Sequence, residues 1–89
     1  MHTIGRNEYH KITQLQARVH KVRSAIGVLD YTRHRLAQVL DIRVDELPET
    51  LATALDDATA QLQTELMFLD DDLSAARENL RNALDTRND

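Results

Sequence analysis

Apolar residues recur every three or four positions from Ile12 to Leu40, and again from Leu51 to Leu84, with Pro48 lying between the two stripes. At 3.6 residues per turn, that spacing puts each set on one face of an α-helix. Two long amphipathic helices are predicted, helix 1 over about 7–42 and helix 2 over about 45–86, joined by a turn near 43–45. The fold class is therefore all-α, with residues 1–89 forming a single antiparallel helical-hairpin domain.

The stripes differ in period. In the first, Ile12, Val19, Ile26, Leu40 and Leu47 share one heptad column and Leu15, Val22, Leu29 and Leu36 the other. Arg33 interrupts the first column and Arg43 the second. A β-branched column beside a mostly leucine one suits a coiled-coil or bundle seam. In the second stripe Leu51, Leu62, Leu73 and Leu84 are spaced by eleven, as are Leu55 and Leu66, and Ala58, Leu69 and Leu80. Eleven residues over three turns keep a helix nearly straight. The predicted seam sets Ile12, Leu15, Val19, Val22, Ile26, Leu29, Leu36 and Leu40 against Leu51, Leu55, Leu62, Leu66, Leu69, Leu73, Leu80 and Leu84.

Helix ends carry weaker signals. Asn7, followed by Glu8, can cap helix 1 through its side-chain oxygen. No glycine follows Asp41, which leaves the end of that helix poorly marked. Asp45 is the predicted cap of helix 2, with Pro48 inside the first turn, where a missing amide costs nothing. Asp45, Glu46 and Glu49 complement the positive end of the helix dipole.

Size and charge add a demand for partners. Two helices touching along one seam bury little of an 89-residue chain, so a second hairpin or another protein is expected to complete the core. Residues 1–44 carry a balance of +5, and residues 45–89 a balance of −9. A basic helix beside an acidic one gains complementary flanks, which explains the split more simply than nucleic-acid mimicry does. The chain has no cysteine, so disulfides and thiolate metal sites are excluded. Met1 to Glu8 lack the basic-then-apolar pattern of a secretory signal, and Leu66–Leu69 is the longest wholly apolar run. The expected location is cytoplasmic, with no membrane contact.

Catalytic patterns are scarce. Asp70, Asp71 and Asp72 are consecutive, and on a helix consecutive side chains diverge by about 100°, so they cannot converge on one ion. Glu46 and Glu49 have the spacing of paired helical carboxylates but fall at the capped turn. His2, His10, His20 and His34 form no i,i+4 pair of the kind a helical zinc site needs. Ser24 and Ser74 have no neighbouring base, and Gly5 and Gly27 build no phosphate loop. No catalytic residue, cofactor or metal is expected.

The stretch Arg35-Leu36-Ala37-Gln38-Val39-Leu40-Asp41-Ile42-Arg43-Val44-Asp45-Glu46-Leu47 resembles the closing helices of Cro/repressor-type helix-turn-helix domains. The upstream glycine-bearing turn that reads DNA in that family is absent, so the resemblance implies no DNA-reading residue here. The layout is also similar to secreted Trp-x-Gly hairpin proteins, although this chain has no tryptophan.

These patterns predict a non-enzymatic helical interaction protein, an adaptor or inhibitor that binds another protein and pairs with itself as a four-helix bundle. Val28, Tyr31, Met67 and Phe68 lie off the stripes and are predicted to form an apolar partner-binding belt at one level, flanked by Ala60 and Ala75. The alternative is a nucleic-acid-binding hairpin dimer. Arg6, His10, Lys21 and Arg35 fall within about 40° of the face opposite the heptad stripe, a line that could track phosphates. The net charge of −4 and the lack of aromatic residues on that line weigh against it.

Overall fold

The 3.6-residue periodicity is realised along almost the whole chain. A computed structural model describes the backbone of residues 3–87 and the side chains of residues 7–85. Helix α1 runs Thr3–Leu40, a single 3₁₀ turn occupies Val44–Glu46, and helix α2 runs Glu49–Arg87 without interruption. The helices pack side by side as an antiparallel hairpin, with no strand among the described residues. The Cα envelope measures 65 × 16 × 13 Å and its radius of gyration is 19.6 Å. A compact domain of this length would have a radius near ~12 Å. Its accessible surface, 6960 Å², exceeds by about 1,600 Å² what a compact protein of this mass exposes.

The connection is longer than the sequence suggests. Helix α1 stops at Leu40, where Asp41 takes a left-handed conformation with φ of 58°. The amide of Ile42 donates to the Ala37 carbonyl at 3.0 Å, and that of Asp41 donates to the Gln38 carbonyl at 3.2 Å. This pair of bonds is a Schellman closure, normally built on glycine. Half-buried Ile42 and buried Ala37 stand at the two positions whose apolar contact often accompanies that motif. Helix 1 therefore ends sharply, two residues before the expected limit, and it does so without glycine. Asn7 lies inside α1 and is not its cap. Asp45 does not cap α2 either; it sits in the 3₁₀ turn and pairs with Arg43 at 3.0 Å. Pro48 immediately precedes α2, and its carbonyl accepts the first helical bond, from the Ala52 amide at 2.9 Å.

A left-handed Asp carries a Cβ penalty, and its carboxylate faces the negative end of the helix dipole. Asp41→Gly should therefore stabilise the protein by about 1 kcal/mol despite the added freedom of the unfolded chain. Thermal unfolding followed by circular dichroism reads this as a raised midpoint. A lowered midpoint would show that the aspartate side chain is needed at the turn.

The core is uneven along the hairpin. Ile12, Leu15, Val19, Leu69, Leu73 and Ala76 form the buried cluster, with Val22, Leu66 and Leu80 packed against it. Ala76 and Ala37 are among the most enclosed side chains, 1% and 3% exposed, because short side chains let the helix backbones approach. Leu47 and Leu55 are buried near the turn. The predicted seam residues Leu40 and Leu84, near the ends of their helices, are instead about half exposed. Arg33, which breaks the heptad column, stays on the seam and reaches Asp56 of α2. One carboxylate oxygen of Glu8 is enclosed with no hydrogen-bond partner.

Candidate functional site

Side-chain direction around the hairpin follows from the seam and 100° per residue. Two ion pairs cross between the helices among the described residues, and they mark its two broad sides. Arg18 meets Glu65 at 3.7 Å on one; Arg33 meets Asp56 toward the other. On the Arg33–Asp56 side the surface is polar and mixed in charge. A shallow groove there is lined by Gln16, Val19, His20, Arg23, Asp70, Leu73 and Arg77. His34 belongs to this side as well, its Nδ1 2.9 Å from the Asp30 carbonyl.

The Arg18–Glu65 side is different. Helix α1 contributes Lys11, Gln14, Arg18, Lys21, Ala25, Val28, Thr32, Arg35 and Val39 to it, with Asn7 and His10 in the directions of Ala25 and Val28, and α2 contributes Thr50, Ala54, Asp57, Ala58, Gln61, Glu65, Phe68 and Asp72. Between Lys21 and Arg35 the α1 strip carries no charge, and between Asp57 and Glu65 the α2 strip carries none. Val28, Val39 and Phe68 are 61%, 66% and 59% exposed. The Thr32 hydroxyl donates back to the Val28 carbonyl at 2.7 Å, which satisfies its polar group and leaves its methyl outward. The seam beneath is only partly closed: among the described residues, none of α1 between Val19 and Ala37 is buried, and none of α2 between Leu55 and Leu69. Ile26, Leu29, Leu36 and Leu62 are all half-buried there.

The four residues of the predicted belt are exposed but do not form one band. Arg33 faces Asp56, and the buried cluster continues the same register toward the open end. Val28 and Tyr31 then stand level with about residues 61 and 58, whereas Met67 and Phe68 stand level with about residues 22 and 21, a spread of about 15 Å. Directions differ too. Val28 and Phe68 share the apolar face, while Tyr31 and Met67 point to the outer edges of the hairpin, because Met67 and Phe68 are successive and diverge by about 100°. The expected belt left out Val39, Ala25 and Ala54, and the second stripe had taken Ala58. Ala25 and Ala58 lie in the charge-free runs beside the leucine stripes, whereas Val39 and Ala54 lie just beyond Arg35 and Asp57.

Of the basic line, His10, Lys21 and Arg35 are exposed where the Arg18–Glu65 side turns into the outer flank of α1, and Arg35 donates to Gln38 Oε1 at 3.3 Å. The side chain of Arg6 lies outside the described residues. His10 and Lys21 are separated by roughly 16 Å along the helix and Lys21 and Arg35 by roughly 21 Å, which is sparse for following a phosphate backbone. Asp70, Asp71 and Asp72 are exposed, and among the described residues no group of three or more His, Asp or Glu could hold a metal ion. No described helix is long and apolar enough to cross a membrane.

No family model, curated protein or solved structure matches the chain. Function must be argued from the hairpin's own surfaces.

Proposed function

We propose that this protein is a non-enzymatic interaction module, an adaptor or inhibitor that binds through one broad side of its hairpin. The observation that carries the reading is the unfinished middle of the core: half-buried seam residues roofed on one side by uncharged Ala25, Val28, Thr32, Ala58 and Gln61, with exposed Val39 and Phe68 just beyond Arg35 and Glu65. A strip free of charge for about 21 Å along α1 and about 12 Å along α2, edged by charged residues, is how a protein-binding surface differs from ordinary solvated helix. Its opposite side, rich in Arg, His and Asp, supplies solubility.

The test is a pair of double variants. Val28→Asp with Phe68→Asp should abolish self-association and release any protein captured from native extract, with helicity retained because both positions are exposed. Tyr31→Asp with Met67→Asp, on the outer edges, should leave both unchanged. Equal behaviour of the two variants would overturn the reading. A steeply salt-dependent gel shift with duplex nucleic acid, lost in Lys21→Ala with Arg35→Ala, would establish the alternative in its place.

A further inference from the structure

The charges that frame the apolar side are segregated by helix. From Asn7 to Val39, every charged residue that α1 presents on this side is basic: Lys11, Arg18, Lys21 and Arg35. From Glu49 to Asp85, every charged residue that α2 presents there is acidic: Asp57, Glu65 and Asp72. Among the described residues on this side, only Arg18 and Glu65 are paired within the hairpin, at 3.7 Å and largely exposed.

Two identical hairpins can meet face to face across this side in two ways. If their turns lie at opposite ends, α1 packs on α1 and α2 on α2, so like charges meet along both seams. If their turns lie at the same end, the basic strip of each α1 lies over the acidic strip of the other copy's α2. In that second arrangement Arg18 and Lys21 come level with Asp72 and Glu65 of the other copy, given the register set by Arg33 and Asp56. Val28 then falls over Ala58 and Gln61, and Val39 over Thr50, so no charge faces either valine. Neighbouring helices are antiparallel in both arrangements, so the helix dipoles are aligned favourably in either and the flanking charges make the choice.

Area supports the same occupant. The chain exposes 6960 Å², about 1,600 Å² more than a compact protein of its mass. Obligate dimers bury more than roughly 2,000 Å² in total, or about half that from each chain. The excess is therefore ample for one such interface. Resting on the interaction reading above, we infer that the apolar side is occupied by a second copy of this chain, in a two-fold four-helix bundle whose turns lie at the same end.

Light scattering should give twice the 10.2 kDa chain mass. A nitroxide on Glu46→Cys, the only cysteine such a variant would contain, should report a label-to-label distance below about 35 Å by pulsed electron resonance; turns at opposite ends would place it beyond about 45 Å. Arg18→Glu with Lys21→Glu should weaken the dimer about tenfold at low salt, and mixing it with the Glu65→Lys, Asp72→Lys variant should restore full affinity. A dimer with the long distance, or one indifferent to the Arg18/Lys21 reversal, overturns the arrangement. A monomer at about 100 μM overturns the second copy as occupant. In that case loss of a captured protein on changing Val28 and Phe68 would keep the interaction reading, and no loss would end both.

Discussion

Leu69→Ala should lower stability by about 3 kcal/mol and the thermal midpoint by roughly 15 °C, at fixed protein concentration. Leu69 is 3% exposed at the centre of the cluster formed with Ile12, Leu15, Val19, Leu73 and Ala76. Its loss removes transfer energy and leaves a cavity that two long helices, held by neighbours above and below, can close only in part. Leu84→Ala belongs to the same sequence stripe but begins half exposed, so it should cost less than about 1 kcal/mol. Circular dichroism melts of the two variants measure the contrast. Similar costs would show that the core is spread evenly along the hairpin.

Enlarging the tightest contact should do comparable harm. Ala76 is 1% exposed between the helices, and Ala76→Leu adds three carbons where the backbones approach. Overpacking of this kind typically costs about 1–3 kcal/mol, and a straight hairpin must relieve it by splaying its open end. The expected result is about 2 kcal/mol lost, together with faster amide exchange in residues 8–20 and 70–82 and unchanged exchange near the turn. A neutral or stabilising outcome would mean that the helices stand farther apart there than the burial of Ala76 implies.

The helices and most seam residues were legible because large apolar side chains carry the 3.6-residue period. Ala37 and Ala76 were not, since a count of large apolar residues overlooks the small ones that mark closest approach. Reading the end of α1 depended on expecting glycine; Asp41 adopts the left-handed conformation in its place, and the 3₁₀ turn then shifts α2 to Glu49. That shift moves the register by two residues, which further spreads the supposed belt of Val28, Tyr31, Met67 and Phe68. The apolar side is defined by which strip of each helix turns the same way. Sequence periodicity could place residues off the stripe, but assigning them to one side required the handedness of both helices and the crossing pairs Arg18–Glu65 and Arg33–Asp56.

The separation between the turn and the buried cluster also sets an order of assembly. Arg33 and Asp56 close a loop of 23 residues, whereas Ile12 and Ala76 close one of about 64. The entropy of closure grows only logarithmically, so the longer loop costs roughly 1 kcal/mol more. Zippering from the turn outward is therefore the inexpensive route, yet it passes through the loosely covered middle before reaching a contact strong enough to hold. The open-end cluster acts as a latch: once Leu69 and Leu73 engage Ile12, Leu15 and Val19, both ends are fastened. The middle can then part and reclose without unzipping the molecule, so a surface for docking can exchange its contacts while the hairpin stays folded.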